Sequence, residues 1–425
     1  MTDPGDRLSN LAPTDGRERS GMTAQLVGEL ELPLLQTIGL ERFDAIAAVE
    51  EARSQHWLAR TDMGYCVTRL EDVTAILRDK RFHSALSILP QMSGMPELEE
   101  RSARRKSILS MEGDEHARLR RLVAPAFSPH SANRLRPTMR TVLGDLVERV
   151  VADGACEFVS DVCEPYPIPV ICELLGAPPE DWKLFSSWAT DIFRIFNGTL
   201  EQDLPLIDRA SNELTAYVSD MIAARRADPR DDLLSDLIAV EEEGDRLSTE
   251  EMAMLAQAVL MAGTDTTRNQ LACSVAVFSE HPEQWQLLGQ NPELAPRAVE
   301  ESLRYLGAVR ATVRFAAEDV TYRDVLFPQG TIVTTSLAGA NRDPELWAQP
   351  NEFDITQERG QAQMTFGSGI HFCLGAALAR AELQEALPLL ARRMPGLARN
   401  GPVEWKPANF GIWGPASLPI RFDPA

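Results

Sequence analysis

Phe366-Gly367-Ser368-Gly369-Ile370-His371-Phe372-Cys373-Leu374-Gly375 decides the reading of this chain. Two glycines let the backbone turn tightly and come close to something flat. A lone thiol then stands at the start of a strongly helical run. The N-terminus of a helix carries partial positive charge and free N–H groups, which favour thiolate over thiol. A thiolate held in this way is a good ligand for iron. The arrangement suits a haem better than a disulfide or a zinc ion.

The other five cysteines are Cys66, Cys156, Cys163, Cys172 and Cys273. No two of the six are separated by two residues, so neither a zinc pattern nor a thioredoxin-like pair is present. The five lie in apolar stretches and read as small packing hydrophobes, and the plain alternative makes Cys373 a sixth. Gly367-x-Gly369 as a dinucleotide loop is weak. It lacks the third glycine, and no strand pattern runs into it.

The segment resembles that of the cytochrome P-450 family, the haem-thiolate monooxygenases. The family pattern Phe-Gly-x-Gly-x-His-x-Cys-x-Gly is matched at every fixed position. The resemblance implies a fold that is mostly α with a small β portion, the cytochrome P-450 fold, around haem b. It makes Cys373 the axial iron ligand, places Phe366 beside the thiolate and Gly367 and Gly375 against the haem, and sends His371 to a propionate. With further matches it extends from the first quarter of the chain to the C-terminus. The expected organisation is a disordered tail over residues 1–26 and a single domain over 27–425.

The composition, 44% hydrophobic and 25% charged, is that of an ordinary globular protein. No run of eighteen apolar residues predicts a membrane span. The polar, acidic start from Met1 to Ser20 does not read as a secretory signal. Cysteines without a disulfide framework fit a reducing cytoplasm. A formal charge of -21 argues against nucleic acid as partner. Basic residues nonetheless cluster at Arg101, Arg104, Arg105 and Lys106, and again at Arg118, Arg120 and Arg121. Such clusters read either as solvated helix faces or as a dock for an acidic electron donor. In the relatives this region borders the cysteine side of the haem, where ferredoxins bind.

Helical patterns dominate. Short strand-like runs lie at Trp57 to Arg60, Tyr65 to Thr68 and Thr331 to Ser336. Ser84 to Arg101 reads as a long loop. Asp181 to Phe196 and Pro205 to Arg226 read as successive helices. Ser248 and Glu251 form a capping box that opens the longest one, which runs to about Phe278 and spans about 45 Å.

At the centre of that helix lies Ala262-Gly263-Thr264-Asp265-Thr266-Thr267. Glycine costs up to about 1 kcal/mol in a helix, and Asp and Thr compete for backbone hydrogen bonds. A buried helix that breaks local rules in this way points to a functional site. The structural alternative is a kink, with Thr266 bonded back to its own turn. The stretch also matches the family's Ala/Gly-Gly-x-Asp/Glu-Thr. That resemblance implies that Ala262 and Gly263 open a groove for the diatomic ligand, that Thr266 hydrogen-bonds the oxygen and that Asp265 relays protons through water.

Glu301 and Arg304 match the family's Glu-x-x-Arg, a buried pair that locks the cysteine loop. A third partner often comes from Pro-Glu-Arg-Phe, but here the stretch is Pro350-Asn351-Glu352-Phe353. His116 and Arg120 match His-x-x-x-Arg and, with Arg314 and His371, are the expected propionate donors. Arg310 competes for the role of Arg314. Leu306-Gly307 stands where relatives often carry proline, so the loop from Gly307 to Val313 is expected to take its own path. Leu86, Ile88, Phe193, Ala258, Ala262, Val309 and Trp413 are candidates for the substrate pocket.

The implied activity is insertion of one oxygen atom from O2 into a small apolar substrate such as a terpenoid, steroid, fatty acid or polyketide. Electrons from NAD(P)H arrive through a separate ferredoxin or flavodoxin and its reductase. Oxidative coupling on the same haem, and a haem-thiolate sensor or carrier, stay open as alternatives. Asp265-Thr266 speaks against the sensor, because a binder needs no proton relay.

Overall fold

The computed structural model describes residues 24–36, 42–93, 99, 107–194, 200–242, 247–406 and 412–424. Most of the expected tail, the basic cluster at 101–106 and the end of the helix expected to reach Phe196 lie outside them. Seven helices position the site: α1 (Gly113–Val123), α2 (Pro167–Leu175), α3 (Trp182–Phe193), α4 (Leu200–Ala227), α5 (Thr249–Glu280), α6 (Ala295–Tyr305) and α7 (Ala376–Arg393). The fold is mostly helical, as the sequence implied. No helix among the described residues is long and apolar enough to cross a membrane.

Helix α5 opens on the capping box read from the sequence, with Ser248 accepting from the Glu251 N–H and the Glu251 carboxylate accepting from the Ser248 N–H. Its 32 residues reach about 48 Å. Every residue from Asn269 to Phe278 is buried, so this half runs through the main core rather than along the surface. Helices α2, α3, α4 and α7 pack around it.

A five-stranded sheet covers a second, smaller core. Its strands are β1 (Leu58–Thr61), β2 (Gly64–Val67), β3 (Phe82–Ser84), β4 (Ala311–Ala316) and β5 (Ile332–Ser336), in the order β1-β2-β5-β4-β3. The three runs read as strands are β1, β2 and β5, each within two residues. The pairing of β3 with β4 was not anticipated. It sets Ser84 opposite Arg314 and so carries two distant segments to the same place. The stretch read as a long loop after Ser84 begins with a helical turn at Ala85–Ser87 and another at Leu89–Ser93. The remainder lies almost wholly outside the described residues.

Between α5 and α7 a carboxyl group is buried in the core. Glu382 is 1% exposed, its Oε2 accepts from Thr267 Oγ1 at 3.1 Å, and its Oε1 has no protein partner. Burial pushes this carboxyl up to about 8, against a weaker downward pull from the Thr267 bond. Its proton is held in the folded chain at pH 7 and lost in the unfolded one. This group's support for the fold is complete below about pH 4 and disappears as pH rises to about 8. Glu382→Gln should therefore be more stable than the parent at pH 8, by on the order of a few kcal/mol, and melt higher there, while the two melt close together at pH 4.5. Thermal melts at the two pH values check this, and equal differences at both would count against it.

Candidate active site

The cysteine loop is built by its glycines. Gly367 and Gly369 have φ of 71° and 72°, in the left-handed region. At Gly369 a Cβ would lie 2.1 Å from the Leu77 carbonyl oxygen, so no other residue fits. The Cys373 N–H donates to the Phe366 carbonyl at 2.9 Å and closes the turn. Arg380 lies 4.5 Å above the Phe366 ring. Helix α7 begins only at Ala376, three residues beyond the thiol. Burial pushes the Cys373 thiol up, while the Gly375 N–H, Arg120 and Arg380 pull it down. The N–H group expected to favour thiolate is present at Gly375, and burial opposes it. The other five cysteines are free, and all but Cys156 are fully buried.

Beside this loop the four expected propionate donors meet. His116, on α1, is 2% exposed, and its Nε2 has no partner. Its ring lies 4.6 Å from that of His371, centroid to centroid. Arg120, one turn along α1, donates to the Phe372 carbonyl and acts electrostatically on Cys373. Arg314 is buried on β4. Burial lowers the pKa of His116, and the charges of His371 and Arg120 lower it further. Glu112, missed by the sequence reading, joins the group: its Oε1 is 3.0 Å from His371 Nε2. Arg310 takes no part, and lies 4.9 Å over the Trp413 ring.

These donors fit a haem. Two histidines and two arginines gather around one carboxylate, and an orphaned imidazole nitrogen is among them, which suits a ligand bringing two carboxylates of its own. No group of three or more metal-ligating side chains exists among the described residues. A metal at Cys373 must therefore bring its other ligands with it, as a porphyrin does.

On α5, Ala258, Ala262 and Thr266 share one face at i, i+4 spacing. Ala262 is exposed in mid-helix and Thr266 half-buried. The Thr266 hydroxyl donates to the Ala262 carbonyl, which is the back-bonded arrangement weighed above. Gly263 faces elsewhere: a Cβ there would lie 2.2 Å from Ile171 Cδ1, so its missing side chain admits α2 rather than a cofactor. Asp265 is 6% exposed, ion-paired with Arg268 and 3.9 Å from Lys406 Nζ. Burial lowers the Lys406 ammonium and Asp265 raises it. Arg268, three residues along the helix, was legible as a partner, whereas Lys406 comes from far down the chain.

A family model described as Cytochrome P450 matches residues 181–394. The chain is 36% identical to luteothin monooxygenase of Streptomyces thioluteus, over 89% of this chain and 93% of that protein. The chain belongs to the cytochrome P450 family. It is 38% identical to mycinamicin IV hydroxylase/epoxidase of Micromonospora griseorubida, over 84% of this chain and 89% of that one. The crystal structure of CalO2 superposes on this P450 with a TM-score of 0.84 at 31% identity, covering 90% and 97% of the two chains. This P450 is accordingly a monooxygenase that uses haem and O2.

The third charged partner of the Glu301–Arg304 pair of this P450 is Arg359, while the 350–353 stretch supplies only backbone carbonyls, of Pro350 and Glu352, to Arg304. Arg359 meets Glu301 with two hydrogen bonds, at 2.7 and 2.8 Å. Gly307 is demanded by Thr365, whose Oγ1 would lie 2.5 Å from a Cβ there. The proposed substrate contacts scatter. Leu86 is exposed and Ile88 half-buried. Trp413 lines a cavity of about 420 Å3 with Arg310, Arg53 and Val49, and Phe193 lines a smaller one beside Asp265. Val309 pairs by a β-bridge with Ile412, next to Trp413. Of the basic trio on α1, Arg118 pairs with Glu251, Arg120 turns inward and Arg121 alone is exposed.

Arg359→Ala leaves the buried Glu301 carboxylate with one guanidinium instead of two. It should destabilise the protein by about 3 kcal/mol and lower haem retention. Denaturant midpoints and the haem-to-protein absorbance ratio measure both effects, and an unchanged midpoint would remove Arg359 from the lock.

Proposed function

We propose that this P450 inserts one oxygen atom into a small apolar substrate, with electrons passed from NAD(P)H through a ferredoxin or flavodoxin and its reductase. Terpenoids, steroids, fatty acids and polyketides fit this description. Relatives acting on polyketide and vitamin substrates support the polyketide part of that range. The observation that carries the reading is the lone Cys373 thiol on a glycine-built turn, flanked by a cation group that suits two carboxylates.

Haem, when bound, supplies the iron at which dioxygen is reduced and one of its atoms transferred. Cys373 holds that iron, while His116, Arg120, Arg314 and His371 hold the propionates. Ala262 leaves room on the face of α5 that Thr266 shares. The Thr266 hydroxyl, released from the Ala262 carbonyl, gives a hydrogen bond to the oxygen substrate. Asp265, steadied by Arg268 and Lys406, hands on protons. A cavity of about 10 Å3 beside Asp265, room for roughly one water, is lined also by Glu164, Ser186, Thr190 and Thr264. Proton delivery of this kind is general acid catalysis, and a positioned carboxyl–hydroxyl pair supplies it. The exposed Arg121 suits an acidic electron donor.

The reduced protein under carbon monoxide should show the red-shifted Soret band of thiolate-ligated haem. Its absence in folded, haem-loaded protein would overturn the reading. Thr266→Ala should keep haem and substrate binding while product formed per NAD(P)H falls about tenfold and peroxide rises to match. A variant that remains fully coupled would take Thr266 out of the proton path.

A further inference from the structure

Glu112 occupies the N-cap position of α1, where an acidic side chain ordinarily accepts from the helix's own N–H groups. It makes no such bond. Gly113, with φ of 65°, turns the chain immediately after it, and the carboxylate reaches away from the helix. Its Oε1 accepts from the Ser84 N–H at 2.7 Å and lies 3.0 Å from His371 Nε2. Ser84 is the register partner of Arg314. His371 stacks obliquely on His116, and Arg120 follows His116 by one turn. One carboxylate thus ties β3, which pairs with the strand that carries Arg314, to the loop that carries His371 and Cys373, with α1 as the third wall.

We infer that Glu112 is the positioning residue of the propionate site: it fixes His371 and the β3–β4 edge in place before haem arrives, and so slows haem loss. This rests on the haem-thiolate reading above. Two propionates need cations at set positions: His371 lies on a loop, and Arg314 lies on β4, whose outer neighbour β3 is a three-residue edge strand, and Glu112 joins the two. A glutamate is long enough to do so from the start of α1. Its charge also lowers the cost of gathering two histidines and two arginines in one partly buried place.

The test uses the haem-loaded full chain and follows haem transfer to excess apomyoglobin. Glu112→Ala should raise the transfer rate about tenfold or more, since the Ser84 N–H and the His371 ring both lose their acceptor. Glu112→Gln keeps an oxygen acceptor at the same reach and should stay within about threefold of the parent. Glu112→Asp is one methylene shorter, cannot span Ser84 and His371 together, and should transfer haem faster than the Gln variant. This last comparison decides the matter if the Ala variant fails to fold. The Ala and Asp apoproteins should melt somewhat below the parent, because the Ser84 and His371 contacts exist without haem, so the deciding readout is haem transfer from folded, haem-loaded protein. Transfer rates equal to the parent in the Ala and Asp variants, or a fall in apoprotein melting with no change in transfer, would overturn the inference. If the parent itself never gives the thiolate-type Soret band, the haem reading fails first. If it does, and transfer is unaffected, only the role of Glu112 fails.

Discussion

The buried carboxylate of Glu301 is the fixed point of this molecule. Arg304 meets it from the same helix and Arg359 from a distant loop, each through two nitrogens. The remaining N–H groups of Arg304 go to the carbonyls of Asn341, Pro350 and Glu352, so all five of its donors are used. Asp354 N–H donates to the same carboxylate. Burying three charges costs several kcal/mol per ion, and only complete hydrogen bonding offsets that cost. Here every N–H of Arg304 and both oxygens of Glu301 are engaged. The chain between Asn341 and Arg359 is thereby held against α6, and the cysteine loop follows it only a few residues on. The position of Cys373 is set by an ion network it does not touch.

The second constraint is the length and burial of α5. A helix of 32 residues embedded in the main core can be approached from several sides, and each irregular residue in its middle answers a different neighbour. Gly263 yields to Ile171 of α2, Thr267 meets Glu382 of α7, and Asp265 meets Arg268 and Lys406. Ala262 and Thr266 turn to the remaining face. The same six-residue stretch therefore serves packing on one side and chemistry on another, and the two purposes are separated by helical phase.

Much of the fold and site was legible because it is local. The capping box at Ser248 and Glu251, the glycine turn before Cys373 and the His116/Arg120 pair each depend on residues a few positions apart. What was misread or missed depends on distant ones. Arg359 lies 58 residues beyond the carboxylate it serves. Lys406 comes from beyond α7 to reach Asp265. Glu112 looked like an ordinary helix start, since nothing near it in sequence reveals that Ser84 and His371 arrive beside it. Strand β3 has only three residues, too few to show an alternation, and β4, though six residues long, is half-buried along most of its length and so carries no clear apolar–polar pattern. The apolar substrate candidates scattered for the same reason: hydrophobic residues read singly do not show which cavity they face.

By itself, the sequence determined the chemistry on offer: one thiol on a turn only glycine can make, an acid and an alcohol in mid-helix, and cations spaced to share a helix face. These are backbone conformations and short-range periodicities, and they follow from a few consecutive side chains. Only the tertiary structure decided which charges meet: that Arg314 and not Arg310 joins the histidines, that Arg359 completes the lock, and that Gly263 makes way for a neighbouring helix. Burial and the pairing of buried charge are properties of surroundings assembled from distant segments, and no local reading of the chain contains them.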